Sequence, residues 1–544
     1  MNNNVDINNI GDIIEFLEKT NKKYGNKTAL QIKDGQDYRK LSYIELGNKT
    51  IDVSSTLIKL KVQKGDRVAI LSENRPEWVI AFFGIISCGA IVVPLDIKLK
   101  EKELTYILND SGAEYVFASQ NFVKVIKNIH KKIISLDEEG VDEELLSIGK
   151  LKYTEGEPKN RQVELEDTAI IVYTSGTTGN PKGVELTCKN LLFQVFSFNK
   201  MLKYGIEDNF LSILPLNHTY ELTCGLLGPL YGGACITYLQ TLKPTEIISA
   251  MKETKTTIMI VVPLILQMFY KNIMKEVDKS PEYIKKIFKA SLCLSKLLGE
   301  NMRKILFKKI HDGFGGRLRC FISGGAPLDP EIATNFQLMG IPVLQGYGLT
   351  ETSPVISANT LQKNRIGSVG KLLEGVKVKF GENGEILTQG PHLMKGYFKD
   401  AIKTLEAIKD GWFHTGDIGE IDKDGFLYIK GRLKNLIVAA SGKKIHPEEV
   451  EEEILKSPYI KEICVIGKKG KKNGEEVYAV VVPDYDFIRG NDEEIRKMIS
   501  NEIKKYCQNL ADYKRIVDFE IWQEELPKTS TRKIRRKEVM ERIR

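Results

Sequence analysis

The sequence predicts an α/β protein: doubly wound parallel sheets, then antiparallel hairpins, then a small α+β unit at the C-terminal end. Three observations carry this reading. From about Glu164, short apolar runs pass into small-residue turns and then into amphipathic helices, the alternation that a parallel sheet requires. After Gly390 the texture changes to Asp-Gly turns between short aromatic strands, as in "DGWFHTGDIGEIDKDGFLYIKGR". Beyond Arg432 it changes again, to a Lys- and Glu-rich segment of roughly 110 residues, within the usual size of a domain.

Taken in order, the first 25 residues are polar and acidic where an export signal needs a basic end and an apolar block, so none is expected. "WVIAFFGIISCGAIVVPL", Trp78 to Leu95, has the length of a membrane span and no charge. Its "SCGA" interior divides it into an apolar helix, a turn and a β-branched strand ending in Pro94, which predicts a buried α/β layer instead. "TAIIVYTSGTTG" is a strand entering a loop, with Thr187 as N-cap of the helix that follows. "LRCFISGGAPLDPEIATNFQLMG" repeats the pattern, and "IPVLQGYGLTE" adds a third strand. All three loops lie beyond the carboxyl ends of strands, where open α/β sheets bind ligands. The C-terminal unit reads as helix (Pro447 to Lys456), strand (Ile463 to Ile466), strand (Val477 to Val482), helix (Asn491 to Cys507) and strand (Ile516 to Trp522).

At 544 residues the chain exceeds one compact core. With 42% apolar and 28% charged residues it belongs among soluble globular proteins. The net charge of +8, from 80 basic and 72 acidic residues, favours anionic ligands or an acidic membrane face only weakly and makes no case for nucleic acid. Eight cysteines without CxxC spacing fit reduced, buried thiols in a cytoplasmic protein. Six histidines without paired spacing argue against a histidine metal site.

The loop "YTSGTTGNPKG", Tyr173 to Gly183, places eight small or hydroxyl residues in eleven positions. Hydroxyls and unhindered backbone N–H groups at a strand end coordinate phosphate oxygens at little steric cost, and Lys182 adds charge. No G-x-x-x-x-G-K-[ST] occurs, so this is not a Walker A loop.

"YTSGTTGNPKGV" resembles the phosphate-loop signature of the AMP-forming acyl-adenylate superfamily, which includes acyl-CoA synthetases, luciferases and peptide-synthetase adenylation domains. "PLNHTYE", "SGGAPLDPE", "QGYGLTETSPV", "HTGDIG", "GRLKNLIVAASGKKIHPEEVE" and "PKTSTRKIRR" follow in that family's order, and "YGNKTAL" and "ENRPEWVIAFFGIISCGAIVVPLD" resemble its N-terminal part. The resemblance implies a large N-terminal domain (1–433) with a small β-barrel-like subdomain, and a mobile C-terminal domain (434–544) hinged near Lys434. It implies two steps: a carboxylate attacks the α-phosphorus of Mg²⁺-bound ATP to give acyl-AMP and pyrophosphate, and the thiol of CoA then displaces AMP.

On the matched positions, Thr174, Ser175, Gly176, Thr177, Thr178, Gly179 and Lys182 would embrace the β- and γ-phosphates, with Gly324, Gly325 and Ala326 of "SGGAP" also at the nucleotide. Glu351 would hold Mg²⁺ and Thr350 touch the α-phosphate. Tyr347, between Gly346 and Gly348, would stack on adenine. Asp417 would accept both ribose hydroxyls, helped by Arg432; read alone, a turn-forming Asp is its alternative. Lys533 would bridge the carboxylate and the α-phosphate, although as residues "TRKIRRKEV" is also a solvated basic run. His218 would gate the acyl and pantetheine paths, with a structural histidine as the alternative. Lys434 occupies the hinge position, a plain solvated lysine being its alternative, and Gly442 and Lys443 would meet CoA.

No aspartate stands where amino-acid-activating members place one, so a plain carboxylic acid is expected, in a pocket lined by "YELTCGLLG", "SGGAP" and "TSPVIS". Arg532 replaces the glycine that precedes this lysine in many members, and the T-x-K-[IV]-[KR]-R form is similar to the long-chain fatty acid subgroup. A fatty acid is therefore the expected partner, with membrane contact at most peripheral, on the inner membrane face. An acyl carrier protein acting in trans is the alternative acceptor, since the sequence ends eleven residues after Lys533. A non-catalytic sensor or an ATP-hydrolysing switch is a rival of another class; the set Thr178, Glu351, Asp417, Arg432 and Lys533 favours catalysis.

Overall fold

Residues 11–130, 132–137, 145–174, 181–439, 441–469, 474–528 and 534–543 are described by a computed structural model. By packing, the chain divides into two compact units, residues 1–377 with 389–411, and residues 378–388 with 412–544. The expected boundary at 433/434 thus falls inside the second unit, because the antiparallel strands after Trp412 group with the C-terminal segment.

The first unit is built on two large sheets. In one, the strands Thr168–Thr174, Ile91–Pro94, Arg67–Leu71, Tyr115–Ala118, Ile133–Ser135 and Leu146–Ser147 run parallel in that spatial order. In the other, Val343–Tyr347, Cys320–Ser323, Ile258–Val261, Asn209–Ser212, Cys235–Tyr238 and Thr28–Asp34 do the same. Antiparallel strands border the first at one edge and the second at both, so each is mixed overall. The long apolar run resolves as expected into a helix, Pro76–Ser87, with every residue buried, and the strand Ile91–Pro94. Each large apolar side chain so buried contributes about 2 kcal/mol. Among the described residues no helix is long and apolar enough to cross a membrane.

One strand was not legible. The phosphate loop does not run straight into a helix: Lys182–Thr187 first returns antiparallel to Thr168–Thr174, with Thr174 opposite Lys182. Thr187 then caps the helix Cys188–Met201 as expected, its hydroxyl accepting from the Asn190 N–H while Asn190 Oδ1 accepts from the Thr187 N–H.

The second unit carries an antiparallel half-barrel that includes the strands Trp412–Ile421 and Leu427–Arg432. It is followed by the helix Pro447–Ile454, the strands Ile460–Lys469 and Glu475–Pro483, the helix Asp492–Cys507 and the strand Asp518–Ile521. These match the expected α+β order. Alternation along the two long strands buries both sheet faces: Ile463, Val465, Ala479 and Val481 pack with Ile495, Ile499 and Ile503, while Cys464, Ile466, Val480 and Val482 pack with Leu526 and Val539.

All eight cysteines are unbridged, and Cys293 alone among them is exposed.

Candidate active site

Thr174 and Lys182 face each other at the open end of their hairpin. Ser175, Gly176, Thr177, Thr178 and Gly179 lie outside the described residues, as does Lys533. The ammonium of Lys182 stands 5.0 Å over the ring of Tyr397. Tyr397 in turn donates its hydroxyl to Glu351 Oε1 at 3.0 Å. Burial and the Glu351 carboxylate raise the Tyr397 phenol well above its ordinary range, so it remains a donor. The structure thus brings the predicted Lys182 and Glu351 together through a residue that sequence reasoning missed. Tyr397 belongs to the two-residue strand Gly396–Tyr397, which pairs antiparallel with Lys182–Thr187; in "MKGYFKD" it looks like any strand aromatic.

The helix Cys188–Met201 holds both partners in place. Its buried Gln194 donates to the carbonyls of Thr352 and Val355 at 2.9 and 2.8 Å, fixing the loop that carries Glu351. Asn190 donates to the carbonyls of Pro391 and Leu393, both at 2.8 Å, fixing the segment that leads to Tyr397. Polar residues in the otherwise apolar "NLLFQVFSF" were the available signal.

Thr350 and Glu351 open a 3₁₀ turn directly after the strand that ends in Gly346 and Tyr347. Gly348 is required there, since a Cβ would lie 1.7 Å from the Pro354 carbonyl oxygen. Among the described residues nothing engages Glu351 Oε2, which leaves one carboxylate oxygen for a hard cation such as Mg²⁺, whose remaining ligands would be phosphate and water. No group of three or more His, Cys, Asp and Glu side chains suited to a metal occurs among the described residues.

Gly324, Gly325 and Ala326 follow the strand Cys320–Ser323. A Cβ on Gly324 would meet the Tyr220 ring at 2.9 Å, and Tyr220 donates its hydroxyl to the Ile322 carbonyl at 2.9 Å. Thr223 donates to the Ser353 carbonyl at 3.2 Å. The three segments expected to line the acyl pocket therefore converge. Their meeting point is a π-helical turn, Glu221–Leu227, of the kind that recurs at functional sites. His218 precedes it, half-buried, with Nε2 4.0 Å from Asp96 Oδ2.

Glu221, quoted in the sequence motif but given no role, is fully buried. Oε1 accepts from Ser212 Oγ at 2.5 Å, and Oε2 has no partner among the described residues. Burial pushes this carboxyl up to about 8, so it is protonated at neutral pH.

On the second unit, Asp417 and Arg432 are register partners across the antiparallel pair and form an ion pair, with Arg432 Nε 2.9 Å from Asp417 Oδ1. The Asp417 side chain is 4% exposed and that of Arg432 38%, so the carboxylate is positioned and the guanidinium keeps an open edge. Lys434 follows in a 3₁₀ turn; burial, and next the charge of Arg432, lower its pKa. Gly442, at φ +75°, and Lys443 form the exposed turn between Ile437–Val438 and Lys444–Ile445, with the Lys443 ammonium 4.3 Å from the Tyr513 ring centroid. Of the described residues nearest Lys533 in sequence, Lys528 and Ile534 form an antiparallel bridge, and Arg536 reaches Glu451 and the Val465 carbonyl.

An α/β fold with mixed sheets and a half-barrel is that of the adenylate-forming ligases. The comparisons agree. Residues 17–398 match the AMP-binding enzyme family and residues 449–533 its C-terminal domain, so the chain belongs to the AMP-binding enzyme family. It is 30% identical to the feruloyl-CoA synthase of an Amycolatopsis species over 92% of this chain and 94% of that protein. It is 31% identical to fatty acyl-CoA synthetase A of Dictyostelium discoideum, over 83% and 73% of the two chains. Among solved structures, the O-succinylbenzoate coenzyme A synthetase of Bacillus subtilis in complex with ATP and magnesium ion is 26% identical, with a TM-score of 0.77 over 96% of this chain and 99% of that one.

Proposed function

We propose that this AMP-forming carboxylic acid–CoA ligase activates fatty acids, long-chain ones in particular, and passes the acyl group to free CoA. The observation that supports this choice of acid is the convergence of Tyr220, Thr223, Gly324 and Ser353, uncharged residues that would line the acyl path. The one carboxyl there, Glu221, is turned to Ser212 and neutral, so it neither greets an ammonium nor repels an alkyl chain. Each methylene buried in such a path contributes about 0.8 kcal/mol, which rewards a long chain.

In the first step a carboxylate oxygen bonds to the α-phosphorus of ATP and pyrophosphate leaves. Lys182 and the hairpin hydroxyls offset charge on the phosphates, Thr350 bonds the α-phosphate, and Asp417 with Arg432 holds the ribose. Glu351 would hold Mg²⁺, which when bound would supply electrostatic stabilisation of the triphosphate. Lys533 bridges the reacting groups. In the second step the CoA thiol attacks the acyl carbonyl and AMP leaves, with Lys434 as the hinge, His218 gating the path and the Gly442–Lys443 turn meeting CoA.

The test is acid-dependent pyrophosphate release across fatty acids of graded length, with ferulate and O-succinylbenzoate as rivals, each with and without CoA. Release and thioester formation highest with long chains is expected; preference for an aromatic acid would refute the fatty acid reading. Thioester formation on a carrier protein but never on CoA would reassign the acceptor.

A further inference from the structure

The helix Glu282–Ser295 packs inward through Phe288 and Leu292, against the core that includes Phe307, Ile332 and Phe336. Its opposite side carries Tyr283, Ile287, Ala290 and Leu294, with Leu297 just past its end. The spacing of 4, 3, 4 and 3 puts all five on one stripe, and all five are exposed, Tyr283 at 64% and Leu297 at 86%. The next helix, Glu300–Leu306, packs beside it and adds Met302 and Ile305, the latter 68% exposed. A soluble surface rarely leaves so continuous an aliphatic ridge in water.

Along one flank of the stripe run Lys286, Lys289 and Lys296, exposed and without an ion-pair partner among the described residues. Residues 271–309 hold eleven Lys and Arg against four Asp and Glu, a surplus of seven in a chain whose total is +8. This segment alone therefore carries a surplus nearly equal to that of the whole chain.

We propose that this ridge docks the protein on an anionic lipid surface, the aliphatic stripe entering the headgroup layer and the lysines meeting lipid phosphates. An apolar face flanked by lysine is the composition of helices that lie in a bilayer interface, and the lysine stems let the charges stay at headgroup level. A second copy of this chain is a poor occupant, because two equal positive faces would meet. A protein partner is disfavoured too: protein interfaces deplete lysine, whereas exposed lysines run along this mostly aliphatic stripe.

The test needs neither ATP nor acid, so it stands apart from the reading of the active site. The full chain is sedimented with vesicles of phosphatidylcholine alone and of phosphatidylcholine mixed equally with phosphatidylglycerol. Binding to the anionic vesicles at least tenfold tighter, weakened by salt, is expected. It should fall at least tenfold both in Ile287→Glu with Leu294→Glu and in the triple variant Lys286→Glu, Lys289→Glu, Lys296→Glu. All five positions are exposed, and thermal melting checks that the variants fold. Absence of vesicle binding would overturn the proposal. So would loss in the lysine variant with none in the stripe variant, which marks an acidic protein surface instead, or a halved mass of the stripe variant in light scattering, which marks self-association.

Discussion

Tyr397 donates its hydroxyl to Glu351 at 3.0 Å across 46 residues of sequence, and the Lys182 ammonium stands over the same ring. The ring therefore stands between Lys182 and the carboxylate proposed to hold Mg²⁺. Tyr397→Phe should raise the Mg²⁺ concentration for half-maximal pyrophosphate release a few-fold, and Glu351→Gln by tenfold or more, since one lost hydrogen bond to a charged group costs about 1.5–3 kcal/mol. Initial rates against Mg²⁺ check this. Identical curves for all three proteins would remove Glu351 from the metal.

Arg432 and Asp417 act as a pair whose carboxylate is buried. Arg432→Ala should raise KM for ATP by about 10–100-fold, from the loss of a charge-assisted contact worth roughly 1.5–3 kcal/mol. Arg432→Lys should recover only part, because lysine has no planar fork. A KM for the acid that rises while that for ATP stays fixed would contradict the ribose assignment.

Glu221 makes stability depend on pH in a defined sense. Its folded pKa, about 8, lies above the ordinary carboxylate value. Between the two, the folded chain holds a proton that the unfolded chain has released, so this group's contribution falls as pH rises and levels off above about 8. Glu221→Gln lacks that titration. The melting temperature of Glu221→Gln should therefore gain on that of the parent between about pH 5 and pH 8. A constant difference would show that Glu221 is ionised in the fold.

Arg536 lays two nitrogens on Glu451 at 2.6 Å, and both groups are largely buried. Arg536→Met should destabilise by about 3–5 kcal/mol, as an uncompensated buried charge does, while Arg536→Met with Glu451→Leu should recover much of it. Urea melts of the single and double variants decide.

Lys533→Ala should cripple formation of acyl-AMP yet leave thioester formation from supplied acyl-AMP largely intact. Equal damage to both half-reactions would refute the role given to this lysine.

Much of this was readable before any coordinates, and the reason differs by element. The run from Trp78 to Leu95 betrayed a helix, a turn and a strand because its small residues break a uniform apolar stretch. Thr187 was legible because capping is local. The strand Lys182–Thr187 was not, because "KGVELT" has weak alternation and owes its state to its partner Thr168–Thr174. Tyr397, Asn190 and Gln194 escaped for the same reason: their partners are 46 to 203 residues away, and no spacing rule reaches that far. Glu221 was given no role, because nothing in "PLNHTYE" announces its burial.

The solitary outward thiol offers a practical handle. Cys293 lies among the lysines of the helix Glu282–Ser295, while burial holds the half-buried Cys235 thiol up at about 12 and hence unreactive. A polarity-sensitive maleimide dye should thus attach at one place in the unaltered chain, turning that face into its own reporter of whatever settles upon it.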